Sequence, residues 1–218
     1  HVSNWDHYVD DFKHFVNHVV LIDRNVDQDQ LNLITNSMGG AIALRYFQLN
    51  QVHPFKKAAL SGAMFGIKYK KENDFTVFLK THLICSGLVK SYRGKKLDCH
   101  TMAPGEKYFA WENRLFKKTL LTHSHARFKM RDLMWKKWKE LEIGGPTVEW
   151  VKEANKVIYK VTRKFDLDKI NIPILLLTAV EDFRAREQGH AKVCQRIGDN
   201  CARLRYIDAY HELFMEID

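Results

Sequence analysis

The stretch Leu31-Asn32-Leu33-Ile34-Thr35-Asn36-Ser37-Met38-Gly39-Gly40-Ala41-Ile42-Ala43-Leu44 changes its period at Ser37. Leu31 to Ile34 are apolar or strand-compatible and follow a polar turn over Asp27 to Gln30. From Met38 onward small and apolar residues fall at helical spacing, through Ala41, Ile42, Leu44 and Phe47. A strand that runs into a helix with almost no linker leaves Ser37 at the corner.

A serine so placed has the geometry of a nucleophile elbow. The tight turn lifts the hydroxyl above the sheet edge and aims the next backbone N–H, that of Met38, at a developing oxyanion. Gly39 is expected to serve this turn, because the residue two after the serine packs closely against the neighbouring strand. The Gly-x-Ser-x-Gly pattern is incomplete, since Thr35 stands at its first glycine. A Ser-x-Gly after an apolar run also arises by chance, so its context has to decide.

Composition bounds that context. The 218 residues are 45% hydrophobic and 28% charged, ordinary for a globular chain long enough to bury a core. No apolar run approaches bilayer length. No signal peptide is expected, because Trp5 to Val20 already reads as an amphipathic helix. Cys85, Cys99, Cys194 and Cys201 are too few and too scattered for a disulfide framework, and no Cys-x-x-Cys pair occurs. A reduced, cytoplasmic compartment is therefore expected. The net charge of +9 is concentrated between about Lys68 and Lys169. It fits an anionic membrane surface, nucleic acid or plain solubility, a solvated face being the commonest explanation.

In chain order, Trp5, Tyr8, Val9, Phe12, Phe15, Val16, Val19 and Val20 make one apolar helix face. His7, His14 and His18 are helix neighbours without a visible second shell, so they read as polar-face residues and no metal is expected. Lys57 to Ser61 is a short buried strand ending at Ser61-Gly62. Ile172 to Val180 is a continuous apolar run suited to a strand covered on both faces. A helix over Ala185 to Ile197 and an alternating strand over Ala202 to Ile207 follow. Strand, helix, strand without hairpin signals predicts a parallel sheet, hence an α/β fold.

Between the core strands lies a helical, Lys-, Trp- and Phe-rich insertion with breakers at Pro104-Gly105 and Gly144-Gly145-Pro146. The division expected is 1–62 for the first part of the core, 63–168 for a helical cap, and 169–218 for the second part. Met130, Leu133, Met134, Trp138 and Leu141 form a stripe with Lys129, Lys136, Lys137 and Lys139 away from it. Most of that stripe is expected to pack on the core; Trp135, off its centre, invites a membrane-contacting reading.

A serine nucleophile needs a base, and the base an orienting carboxylate. Asp182 stands two residues past Val180, and His211 follows the last strand in D-A-Y-H-E. Ser37, Asp182, His211, each past the end of a strand, is the order of serine hydrolases built on parallel sheets. Glu181 is the rival acid, and Glu212 offers His211 a local partner. No metal or organic cofactor is needed for this chemistry.

Ser37 to Ala41, the inserted cap and the strand leading to Asp182 resemble the lysophospholipase and monoacylglycerol lipase branch of the α/β-hydrolases, the bacterial inner-membrane lysophospholipase type above all. So do W-D-H-Y-V-D-D-F near the start, L-T-H-S-H-A-R-F (Leu121 to Phe128), I-G-G-P-T-V-E-W (Ile143 to Trp150) and A-Y-H-E (Ala209 to Glu212). The resemblance implies Ser37 as nucleophile, Asp182 as acid, His211 as base and the Met38 N–H as one oxyanion donor. It implies a serine esterase acting on lysophospholipids or monoacylglycerols, peripheral on the inner membrane, without nucleic acid as partner. Another cap-bearing hydrolase (carboxylesterase or peptidase) and a non-catalytic basic membrane-binding module are the alternatives. Thr35-Asn36 departs from the family's Gly-His. The family also has strands ahead of the first helix seen here, one leading to the second oxyanion donor. A chain shortened at its N-terminus, ending at Asp218 before a final helix, and inactive and aggregation-prone by itself, is therefore expected.

Overall fold

The computed structural model describes residues 2–24, 26–27, 31–69, 73–92, 94–104, 116–141, 144–163 and 167–217. Residues 28–30 of the expected polar turn, Gly105 of the first breaker and Ile143 lie outside them.

Four parallel strands form the sheet: β1 (Leu31–Asn36), β2 (Phe55–Ser61), then, past a two-stranded hairpin of β3 (Ser91–Tyr92) and β4 (Lys95–Lys96), β5 (Ile174–Ala179) and β6 (Cys201–Tyr206). The spatial order is β1-β2-β5-β6. Each expected strand lies within about two residues of its bounds, the usual slack at element ends. The apolar run of β5 sits between two neighbours, with Leu176 fully buried, as a strand covered on both faces requires. The register pairs Asn36 with Ser61, Ser61 with Leu177, and Ala179 with Tyr206. All four carboxyl ends therefore open along one edge, where ligands of open parallel sheets bind.

The helices are α1 (Asp6–His14), α2 (Met38–Leu49), α3 (Asp74–Cys85), α4 (Phe116–Thr119), α5 (His125–Lys137), α6 (Val148–Val161) and α7 (Glu187–Ile197). Asn73, Ser124 and Thr147 cap α3, α5 and α6 by accepting from the backbone N–H three residues on. α2 packs on α1 and α6, and α7 on β5 and β6. Trp5, Val9, Leu44, Phe47, Leu60, Leu176 and Val193 share one core. Ala154, Val157 and Val161 of α6 belong to it too, so the end of the 63–168 segment is built into the main body.

Three expectations are corrected. The first helix does not keep one winding to Val20. From Phe15 to Asp23 it loosens to a π-helix, which turns the face, and Phe15 ends 52% exposed while Val9 and Val16 stay buried. The stripe on α5 does not pack on the core. Met130, Leu133, Met134 and Trp138 point outward among exposed Lys129, Lys136, Lys137 and Lys139, whereas Phe128 is buried. Trp135 is the half-buried member, with the Arg131 guanidinium over both its ring and that of Phe128. The cysteines, far apart in pattern but not in space, pair as Cys85–Cys99 and Cys194–Cys201. Disulfides persist in oxidising compartments, so the cysteines no longer argue for a reducing one. Among the described residues no helix is long and apolar enough to cross a membrane.

Candidate active site

The corner between β1 and α2 is held in an unusual conformation. Ser37 has φ 52° and ψ −117°, a region that costs a non-glycine residue on the order of 1–3 kcal/mol and persists only where the surroundings enforce it. Three backbone hydrogen bonds do so: the Ser37 N–H donates to Ser61 O at 2.9 Å, and the Ser37 carbonyl accepts from Gly40 and Met64 N–H, each at 3.0 Å. Met38 opens α2, so its N–H is one of the first-turn donors that a helix leaves without an intrahelical acceptor.

The close approach expected at Gly39 occurs at Gly40. A Cβ on Gly39 would lie 3.4 Å from Thr35 Cβ, an ordinary contact, whereas one on Gly40 would lie 2.5 Å from Ala63 Cβ. Thr35 fits at the first position of the elbow, although its buried hydroxyl has no hydrogen-bond partner among the described residues.

Past the end of β5 the chain turns at Asp182, which is 2% exposed. Its Oδ1 accepts from the Arg184 and Ala185 N–H at 2.7 and 2.8 Å, and its Oδ2 accepts from His211 Nδ1 at 2.7 Å. Burial alone would raise its pKa; the His211 ring and the two backbone donors outweigh that and hold the carboxyl below its ordinary value. With Nδ1–H committed to Asp182, His211 Nε2 is the acceptor for the Ser37 hydroxyl, 2.8 Å away. The structure thus brings Ser37, His211 and Asp182 into one hydrogen-bonded row. Glu181 is exposed and stands outside it, and Glu212 pairs with Arg131 at 3.6 Å.

Several residues that hold this row escaped the sequence reading. Gly62 has φ +50°, and a Cβ there would meet His211 O at 2.9 Å and Nδ1 at 3.3 Å. Lys68 Nζ donates to the Asp182 carbonyl, and Ile67 pairs with Ala185, so the loop after β2 runs alongside the acid's loop. His190 on α7 is 1% exposed. Its Nε2–H donates to Ala63 O at 2.6 Å, which leaves Nδ1 to accept from the Thr178 hydroxyl at 2.9 Å. Burial lowers its pKa and keeps it neutral. The signal for it was Gly189, a glycine inside a helix: a Cβ there would meet Phe65 O at 2.3 Å, so α7 comes against that loop at the point where His190 projects.

The family described as serine aminopeptidase, S33, matches residues 1–218. Among individual proteins, the probable lysophospholipase L2 of Haemophilus influenzae is 25% identical over 222 residues, covering all of this chain and 63% of its own length. The lysophospholipase L2 of Escherichia coli K12 is 25% identical over 226 residues, again covering the whole chain and 61% of its length. The chain therefore spans a little over three fifths of these relatives. Among solved structures, a soluble variant of monoglyceride lipase from Saccharomyces cerevisiae superposes with a TM-score of 0.67 at 14% identity, covering all of this chain and 66% of that one. The monoacylglycerol lipase of Paleococcus ferrophilus superposes with a TM-score of 0.61 at 15% identity, over 95% and 68%. The fold is that of the α/β-hydrolases, and the chain belongs to the serine aminopeptidase S33 family.

Proposed function

We propose that this chain carries the reacting groups of a serine ester hydrolase whose substrates are single-chain lipid esters, lysophospholipids or monoacylglycerols. The observation that carries the reading is the row from Ser37 Oγ through His211 to Asp182, at 2.8 and 2.7 Å, built on a strained serine at the ends of parallel strands. His211 Nε2 takes the hydroxyl proton as Ser37 Oγ attacks the acyl carbonyl. The Met38 N–H faces the oxyanion of the tetrahedral intermediate. Collapse breaks the ester C–O bond, and the leaving alkoxide takes the proton from His211. Water, deprotonated by His211, then hydrolyses the acyl-enzyme, releasing fatty acid and restoring Ser37. Asp182 stays ionised throughout and keeps the imidazole in one tautomer.

The lipid class is supported by the names of the relatives. It is also supported by the outward face of α5, apolar with a lysine surround, which suits peripheral contact with an anionic membrane. In this reading the part of the 63–168 segment that lies outside the main core, α5 and the chain leading into it included, is the cap over the acyl chain. A second reading, a peptidase, has the family's description in its favour. Fatty-acid release from lysophosphatidylcholine and from monoacylglycerol, beside hydrolysis of an aminoacyl p-nitroanilide, separates the two. Lipid turnover that vanishes in Ser37→Ala is the expected outcome. Turnover of the anilide alone would give the second reading, and no serine-dependent turnover of either would overturn both.

A further inference from the structure

The cap segment L-T-H-S and the A-Y-H-E segment around His211 are distant in sequence and joined in space by Glu216, a residue with no part in the chemistry above. Glu216 is 9% exposed. Its Oε1 accepts from Tyr210 N–H at 2.7 Å and from His123 Nδ1 at 3.1 Å. Its Oε2 accepts from His123 N–H at 2.8 Å and lies 3.3 Å from the Thr122 hydroxyl, which also donates to Met215 O. Burial would raise its pKa, but the Tyr210 and His123 donors outweigh that and hold it ionised. A carboxylate turned away from most solvent needs its lone pairs filled, and these donors come from two separate parts of the fold.

Two separate contacts with the cap segment bracket the base. Tyr210 immediately precedes His211 and is tied through Glu216 to His123. Glu212 immediately follows, and its N–H donates to Leu121 O at 2.8 Å. The His123 and Tyr210 rings stack with centroids 3.8 Å apart, and Arg131 reaches from α5 to Glu212. The segment that does the bracketing leads directly into α5, whose cap is Ser124. It begins after Leu120, which has φ 48°, a conformation that a branched side chain adopts only when its surroundings impose it.

We infer that Glu216 is a positioning residue: it ties the backbone just before His211 to the root of the cap, while Leu121 O holds the residue just after it, so that the alignment of Nε2 on Ser37 depends on the cap segment Leu121–Ser124 as well as on Asp182. This rests on the esterase reading for its kinetic consequence but not for its geometry. In Glu216→Gln the volume is kept, while one amide N–H must face a donor. His123→Phe keeps the stacked ring on Tyr210 and removes only the Nδ1 donor.

Both variants are to be made in the protein at its native length. The readouts are thermal unfolding, kcat and KM on p-nitrophenyl butyrate, and the low-field proton resonance of the His211 Nδ1–H···Asp182 bond. The expected result for Glu216→Gln is a kcat roughly tenfold lower with KM within about twofold, and a broadened or lost resonance; misplacing a reacting group by about 1 Å can cost up to ~100-fold. His123→Phe should show the same pattern at about threefold. A folded Glu216→Gln protein with wild-type kcat and an unchanged resonance would overturn the inference. If that variant does not fold, His123→Phe with an unchanged resonance overturns it equally. If the wild type itself turns over no ester, the esterase reading falls, and the resonance alone decides the role of Glu216.

Discussion

β5 and α5 both carry large apolar side chains, and the two elements lie in opposite surroundings. Leu176 in β5 is completely buried between two parallel neighbours, while Leu133 in α5 is 55% exposed among lysines. The strand pairs with β2 on one side and β6 on the other, and Ile174, Leu176, Thr178 and Ala179 are buried. In the helix only the inner face is covered, through Phe128, Arg131 and Trp135. Apolar periodicity states which side chains share a face; whether that face meets the protein's own core or something outside it is decided by the rest of the fold.

The same truncation in the two places should therefore give different results. Leu176→Ala is expected to cost about 2–5 kcal/mol in urea unfolding, the range for a leucine removed from a close-packed core. Leu133→Ala should stay within about 0.5 kcal/mol, and its effect should appear instead as weaker co-sedimentation with anionic vesicles, a loss absent for neutral ones. Equal destabilisation at both sites would erase the contrast.

A finer test lies at the elbow. Gly40→Ala is expected to destabilise by about 1–3 kcal/mol, because Ala63 backbone and Cβ stand where the new methyl must go. Gly39→Ala meets only ordinary contact with Thr35 and should cost less. If Gly39→Ala were the worse of the two, the close approach would lie where the sequence pattern alone had put it.

An electrostatic effect shows only below neutral pH. His190 is kept neutral in the folded chain by burial, so its folded pKa lies below the ordinary 6.5. Above that value neither state holds the proton and the full stability is present. As pH falls below it, the unfolded chain binds a proton that the folded chain resists, and stability drops by up to about 1.4 kcal/mol per pH unit until the folded pKa is reached. His190→Gln should flatten that slope in a pH series of unfolding curves. Asp182 and Glu216, held below the ordinary carboxylate range, act in a lower window. Their stabilisation is present above the ordinary carboxylate value and is lost as pH falls through their folded values.

Most of the sheet was legible because strands report themselves locally. Period-two alternation and unbroken apolar runs put all four strands close to their bounds, and chain order put Ser37, Asp182 and His211 at their carboxyl ends. The choice between Asp182 and Glu181 was not legible. It depends on which carboxylate the turn after β5 sends inward, and the Arg184 and Ala185 N–H donors select Asp182. Gly40, Gly62 and Glu216 matter through contacts made elsewhere in the fold, of which a local pattern carries no trace, and His190 left only the neighbouring Gly189 as a sign. The cysteine pairs also escaped: Cys85 and Cys99 come within 4.5 Å, Cα to Cα, only once α3 and the turn after β4 are placed.

Ser37 is expected to be the activated nucleophile of this row, and covalent labelling reads that out without a substrate. The protein at native length is treated with a fluorophosphonate and the adduct is mapped by mass spectrometry. One adduct is expected, on Ser37, formed about 10⁴-fold more slowly in Asp182→Asn, where the imidazole loses the partner that fixes its tautomer. A folded protein that stays unlabelled at Ser37, or that labels equally fast without the Asp182 carboxylate, would contradict this role.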